Sequence, residues 1–350
     1  MNQEILIGNR KISAESPAFI IAELSGNHNQ DLGRALAIIE AAGESGADAI
    51  KLQTYTADTI TMDCRNQYFA MQTGTLWKGR ILYDLYQEAH TPWSWHDKLF
   101  QKAEESGLIC FSSPFDKTAV DFLEQLNAPA YKIASYEIND IPLIRRAAQT
   151  GRPVIISTGI AALSDIELAL QTCREEGNQD VILLKCTSAY PAPYQEMNLR
   201  VLPHMAETFQ CMTGLSDHSY GTEVAVAAAA LGAKVVEKHL TLSRQDGGVD
   251  SDFSMEPKEF ARMVKEIRNV ESALGTVTYE LTEKQKESKR YSRSLFAAED
   301  IRKGQAFSES NVRSVRPGYG IQPRYLDEIL GKQAKRDISR GMPLKWEDIS

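Results

Sequence analysis

The chain has no stretch approaching the roughly 18 uninterrupted apolar residues that a membrane-spanning helix requires. A soluble protein is therefore expected, with no membrane association. Cysteine is scarce: Cys64, Cys110, Cys173, Cys186 and Cys211 are odd in number and scattered, so no disulfide framework is expected and a reducing cytoplasm is the natural compartment. Positive charge is in deficit, with 39 Lys and Arg against 47 Asp and Glu and a net charge of −8. That balance repels a phosphate backbone and argues against nucleic-acid binding, so an anionic substrate would need local lysines. No GxGxxG turn or GxxxxGK[ST] loop stands between a strand and a helix, which removes the usual dinucleotide and P-loop signatures. The opening MNQEILIGNRKIS is too polar for a signal peptide.

What the chain does have is alternation. Short, β-branched apolar runs recur at FIIAEL (19–24), ADAIKLQTY (47–55), LICFSSPF (108–115) and AYKIASYEI (130–138). Four more follow at PVIISTG (153–159), VILLKCTSAY (181–190), MTGLSDHS (212–219) and KVVEKHLTL (234–242). Helical patterns such as LGRALAIIEAAGESG (32–46) separate them. Eight such units within about 250 residues predict a (β/α)8 TIM barrel rather than a doubly wound sheet, over residues 1–281. The polar residues of each run gather toward its carboxyl end, where a barrel of this kind places its chemistry.

The alternation then stops. TEKQKESKR has no apolar face and reads as a linker over 282–290. Residues 291–350 hold eleven basic and eight acidic side chains, net +3, so the first 290 carry −11. Within this tail Asp300-Ile301-x-x-Gly304 recurs as Asp337-Ile338-x-x-Gly341, a spacing of 37 that predicts two similar halves of one small domain.

Four lysines sit on the apolar runs: Lys51, Lys132, Lys185 and Lys238. Desolvating an ammonium is costly, so each needs a partner. Inward positions paired to Glu23 or Glu237 satisfy that need; so does an anion held in the barrel mouth. Ser112, Ser113, Ser135, Ser157, Thr158, Ser188 and Ser216 accompany the lysines, and short hydroxyls at strand ends are suited to phosphate and carboxylate oxygens. His218 and His239 end adjacent runs, close enough to hold one divalent ion with water and oxygen ligands, Mn²⁺ in preference to a closed zinc site. Glu23 and Glu137 put two carboxylates at the same mouth, either one a candidate general base. Asp217 and Glu237 flank the histidines; Cys110 and Cys186 read as buried fillers. Long loops at 66–78 and 244–254 are placed to cover the pocket, with Asp246, Asp250 and Asp252 available to sugar hydroxyls.

Taken in order, IIAELSGNH, AIKLQTY, FSSPFD, YKIASYE, ISTG, LLKCTSAYP, GLSDHS and EKHLTL resemble the sialic acid synthase family. The tail SLFAAEDIRKGQAFSESNVRSVRPGYG resembles that family's antifreeze-like (SAF) domain. KLQTYT, LWKGRILYDLY, TPWSWH and RQDGGVDSDFS look more like the branch that makes pseudaminic acid than the branch that makes N-acetylneuraminate. Ser188 stands where the latter branch carries asparagine, a departure that favours a different sugar.

The resemblance implies a transferase that condenses phosphoenolpyruvate with an open-chain aldose to give a nine-carbon 2-keto acid and phosphate. For the pseudaminic branch the aldose is 2,4-diacetamido-2,4,6-trideoxy-L-altrose. Carried over position by position, phosphoenolpyruvate ligands fall on Lys51, Ser113, Lys132, Ser135, Ser157, Ser188 and Ser216, and sugar contacts on Gln53, Tyr190 and Arg316. Metal ligands fall on His218 and His239, for Mn²⁺ with Mg²⁺ or Co²⁺ as alternatives, and Glu23 is the base for the attacking water. The family's tail arginine, here Arg316, completes the pocket of the other subunit in a domain-swapped homodimer. The alternatives are a neuraminate or legionaminate synthase using an N-acetylmannosamine-type sugar and, from a different class, a non-catalytic carbohydrate-binding protein.

Overall fold

The computed structural model describes residues 4–71 and 77–350. Strands β1 (Ile5–Ile7) and β2 (Arg10–Ile12) form an antiparallel hairpin. Eight strands follow: β3 (Phe19–Glu23), β4 (Ala49–Thr54), β5 (Ile109–Pro114), β6 (Tyr131–Ile133), β7 (Val154–Ser157), β8 (Val181–Cys186), β9 (Met212–Asp217) and β10 (Val235–His239). Each lies parallel beside its predecessor, and β10 closes on β3 with His239 opposite Glu23. All eight runs expected from the sequence are strands of this closed TIM-type barrel.

Local chemistry starts the helices that separate the strands. Asp31, Asp116 and Asp140 each cap a helix, their carboxylates accepting from the backbone N–H groups of Arg34, of Thr118 and Ala119, and of Leu143 at 3.1 Å. These caps satisfy donors that a helix start otherwise leaves orphaned.

Side chains alternate along each strand, so one parity faces the helices and the other the barrel axis. At the amino ends the inward set is apolar: Phe19, Ile21, Phe111, Ile155, Ile182 and Val235 pack together, and Ile5, Ile7 and Ile12 of the hairpin join them, at most 1% exposed. The hairpin, which the sequence reading did not anticipate, closes this end of the barrel. Each aliphatic side chain so buried is worth about 1.5–3 kcal/mol. With that end filled by hydrocarbon, a polar ligand can enter only at the carboxyl ends.

The chain divides into two compact units, Met1–Gly275 and Thr276–Ser350. The division falls earlier than the linker expected at 282–290, and Glu283–Ser288 is an exposed helix. Thr282 and Gln285 form a capping box there, which starts a helix without any apolar face. In the second unit β11 (Ser294–Ala297) and β12 (Val312–Val315) pair antiparallel over a core that includes Leu295, Phe307, Ile329 and Leu344. The repeated motif is reciprocal in space. Ile301 and Ile338 exchange backbone hydrogen bonds of 2.8 Å, while the Asp337 carboxylate accepts from Lys303 N and that of Asp300 from Arg340 N. Each half caps the other's turn. No helix among the described residues is long and apolar enough to cross a membrane.

Candidate active site

Toward the carboxyl ends the inward parity becomes charged. Glu23, Lys51, Lys132 and Glu237 all continue the inward series of their strands and are at most 4% exposed. Lys51 Nζ lies 2.5 Å from Glu23 Oε2 and 3.7 Å from Glu237 Oε1, and donates to Ser113 Oγ at 3.2 Å. Lys132 Nζ donates to Ser157 Oγ at 2.7 Å, and Ser216 Oγ to Glu237 Oε1 at 3.2 Å. Two cations and two carboxylates thus lie together in a buried layer. Of the two readings of the lysines, the pairing to barrel carboxylates is what Lys51 shows, at an inward position near the mouth.

Lys185 and Lys238 depart from the expectation of a shared mouth. They fall on the outward parity: Lys185 Nζ bonds Cys186 O and Thr187 Oγ1, and Lys238 pairs with Asp217. Ser112 is likewise outward, 2.6 Å from Thr54 Oγ1, and Thr158 Oγ1 donates to Leu184 O. A strand's two-residue period decides which member of each motif reaches the axis.

Burial sets the electrostatics. Desolvation pushes the Glu23 carboxyl up to about 7 against the pull of Lys51. Burial alone would depress the Lys51 ammonium, but Glu23 and Glu237 outweigh it and raise the group. Lys132 is depressed by its burial. Glu237, despite burial, is held below the usual carboxylate range by Lys132 and Lys51. Glu137, on the turn after β6, is half-buried with an unpartnered Oε2, and desolvation raises it to about 7.

Ser135, Gly159 and Ser188 form a second group. Gly159 N donates to Ser135 Oγ at 3.0 Å, and Ser188 Oγ is buried without a partner. A Cβ on Gly159 would collide with both hydroxyls. Only glycine leaves this space open between them, a position the sequence marked merely as the end of ISTG.

His218 and His239 stand with ring centroids 5.2 Å apart. His218 Nδ1 lies 3.2 Å from Thr187 O. A carbonyl can only accept, so Nδ1 carries the proton and Nε2 keeps its lone pair in the neutral ring. His239 Nδ1 is buried with no partner, and desolvation with the neighbouring positive groups keeps this imidazole neutral. In its neutral form each imidazole offers one lone pair, and two such nitrogens on adjacent strand ends fit a divalent ion that takes its other ligands from water or substrate. Among the described residues no group of three or more His, Cys, Asp or Glu side chains is placed to hold a metal ion.

Tyr190 packs 4.4 Å from His218 and 5.2 Å from Phe253, which itself lies 4.9 Å from His239. Trp77 adds to this aromatic wall 5.8 Å from Tyr190. The opposite wall is polar: Gln53 Nε2 donates to Glu23 Oε1 and Ser25 Oγ, both at 3.0 Å, and Ser25 donates to Asp250. Ser25 reaches this position with φ of 50°, a conformation that costs a non-glycine residue about 1–3 kcal/mol and that strand patterning does not reveal. Of the three loop aspartates, Asp250 alone joins this wall. Asp246 pairs with Arg34, and Asp252 accepts from Tyr220.

Cys186 is inward, 3.9 Å from His218 Nδ1, whereas Cys110 packs on the outer core. Of the loop expected at 66–78, residues 72–76 lie outside the described residues. Arg316 belongs to the second unit, where it is exposed.

The NeuB family matches residues 38–279 and the SAF domain residues 292–350. The chain is 46% identical to a pseudaminic acid synthase of Campylobacter jejuni, covering 98% of this chain and 99% of that protein. It is 44% identical to a pseudaminic acid synthase of Helicobacter pylori, covering 95% and 98%. Among solved structures, an N-acetylneuraminic acid synthetase of Leptospira borgpetersenii in complex with citrate superposes with a TM-score of 0.74 at 33% identity, over 82% of this chain and 95% of that one.

Proposed function

The chain belongs to the NeuB family, and from that premise we propose that it works as a pseudaminic acid synthase, joining phosphoenolpyruvate to 2,4-diacetamido-2,4,6-trideoxy-L-altrose with release of phosphate. The observation that carries this reading is the buried layer of Glu23, Lys51, Lys132 and Glu237 beneath the His218 and His239 pair. A binding module would gain nothing from keeping such charges out of water.

Phosphoenolpyruvate is an anion, and in this reading Lys51 and Lys132 hold its phosphate and carboxylate with Ser113, Ser135, Ser157, Ser188 and Ser216 as hydroxyl donors. The unpartnered Ser188 hydroxyl and the space over Gly159 support that role. Gln53, Asp250 and Tyr190 contact the aldose between the polar and aromatic walls. His218 and His239 hold a divalent metal, Mn²⁺ by preference, which when bound supplies Lewis-acid polarisation of the aldehyde oxygen.

The C3 carbon of phosphoenolpyruvate bonds to the aldehyde carbon, whose oxygen takes up a proton. The electron demand this leaves at C2 is met by water, and Glu23 accepts the proton that water loses. Collapse of the tetrahedral C2 centre breaks its bond to the phosphate oxygen and leaves the 2-keto acid, the hydroxyl proton going to the departing phosphate while the proton on Glu23 balances the one taken up by the aldehyde oxygen. Lys51, in ion-pair contact with Glu23, keeps that carboxyl beside the anion it serves, and both lysines stabilise the charge that accumulates as phosphate departs.

Arg316 completes the pocket of the partner subunit in a domain-swapped homodimer, a role consistent with its exposure on the second unit. The five cysteines are free, which suits a cytoplasmic enzyme drawing on cytoplasmic phosphoenolpyruvate. The test is phosphate release from phosphoenolpyruvate with Mn²⁺, offering the altrose derivative or N-acetylmannosamine, with an EDTA control. Metal-dependent release with the altrose derivative alone is expected. Release with N-acetylmannosamine in its place would move the chain to the neuraminate branch.

A further inference from the structure

Lys238 and Asp217 are 1% exposed, and their side chains lie on the helix side of the barrel wall, away from the mouth. They are register partners on β10 and β9, and Lys238 Nζ lies 2.6 Å from Asp217 Oδ2. The same ammonium donates to Ser219 O at 2.6 Å. The other Asp217 oxygen accepts from Ser219 N at 2.8 Å and from Ser219 Oγ at 2.7 Å. Every hydrogen bond in this group ends on a residue immediately before or after a histidine of the mouth.

An ion pair this deep is poor value as a source of stability. Removing two charges from water costs about as much as their attraction returns, and well-packed apolar residues often serve as well. What the pair does have is a location. Asp217 and Ser219 bracket His218, and both are tied to Lys238, which precedes His239. On a strand a displaced neighbour carries the next side chain with it, so this knot bears on the separation of the two imidazoles.

We propose that Asp217 and Lys238 are positioning residues for the metal-binding histidines: a buried ion pair on the outer face of the barrel that, with Ser219, sets where His218 and His239 stand relative to each other. The inference rests on the reading of those histidines as metal ligands. It assigns the pair no contact with substrate, and it separates it from Lys51 and Lys132, which face the mouth.

The experiment measures Mn²⁺ affinity by titration followed by electron paramagnetic resonance of the free ion, and phosphoenolpyruvate affinity by tryptophan fluorescence, on the full-length protein. K238M strands a buried carboxylate and is at risk of misfolding, so D217N/K238M, which removes both charges together, is prepared beside it. H239A serves as the reference for the metal site. The Kd for Mn²⁺ is expected to rise by about ten- to a hundredfold in D217N/K238M, the scale on which partners behind metal ligands act. Phosphoenolpyruvate affinity should stay within about twofold, and the circular-dichroism spectrum should stay native. A folded D217N/K238M that binds Mn²⁺ like the parent, while H239A does not, overturns the inference and leaves the metal reading intact. Parent-like Mn²⁺ binding by H239A overturns both.

Discussion

Glu23 and Lys51 face each other across neighbouring barrel strands with Oε2 and Nζ 2.5 Å apart, and both are almost wholly buried. The contact alone would hold the carboxyl low, yet desolvation outweighs it and raises Glu23 to about 7. A group poised there can take a proton from water at neutral pH and give it up again between turnovers. Lys51 is also in reach of Glu237, so its charge does not depend on Glu23 remaining ionised.

The pH dependence of the reaction follows. If Glu23 must be ionised to act as base, kcat/KM falls about tenfold per pH unit below a midpoint near 7, since each unit lost leaves about ten times less of the group ionised. Glu137 is raised to the same region and has to be distinguished. E23Q should lose at least about a hundredfold in kcat with phosphoenolpyruvate binding retained, the range typical of a general base. E137Q should keep the acidic limb. A limb that disappears in E137Q and survives in E23Q would reassign the base. The check is a pH–rate profile of the three proteins.

The hairpin makes a prediction about stability without chemistry. Ile7 is fully buried at the closed end of the barrel, remote from the charged layer. I7A should cost about 2–5 kcal/mol, the range for truncating a buried isoleucine. Its KM values should not change. Urea unfolding followed by circular dichroism measures the first, and steady-state kinetics the second.

Why the hairpin escaped the sequence reading, while the eight barrel strands did not, is a matter of length and partner. The longer barrel strands carry a dense apolar run, as in FIIAE or VILLKC, and the three-residue β6 is marked by the longer run AYKIASYEI around it. ILI and RKI are three residues each, and only Ile5, Ile7 and Ile12 among them turn inward. The site shows the same division. Lys51, Ser113, Lys132, Ser157, Ser216, Glu237 and both histidines were legible because they sit on, or directly after, strands whose ends the motifs mark. Lys185 and Lys238 look identical to Lys51 in the sequence and differ only in parity. Ser25, Asp250 and Phe253 reach the mouth from loops, through a left-handed residue and long-range hydrogen bonds that no local pattern encodes.

The reciprocal caps in the second unit predict a coupled loss. Asp300 accepts from Arg340 N, and Asp337 from Lys303 N. Either change to alanine should cost about 1 kcal/mol, as for other caps of this kind. Because both carboxylates clamp the same Ile301 and Ile338 exchange, D300A/D337A should depart from the sum of the single changes. Differential scanning calorimetry of the four proteins reads the coupling.

Gly159 offers the most direct test of where phosphoenolpyruvate lies. Its φ is not left-handed, so alanine meets no backbone penalty there. The added methyl instead enters the space between Ser135 and Ser188, where it would stand 2.6 Å from Ser135 Oγ and collide with Ser188 Oγ as well. The hydroxyls must turn away, and Ser135 would then release the N–H of residue 159. G159A should therefore fold normally, bind Mn²⁺ as the parent does, and weaken phosphoenolpyruvate by about tenfold or more, the loss expected when one or two hydrogen bonds to a charged group are removed. The KM for the aldose should move much less. Isothermal titration of phosphoenolpyruvate into the two proteins separates these effects. Equal affinity in both would place the anion elsewhere in the mouth, and a shift confined to the aldose would exchange the two subsites.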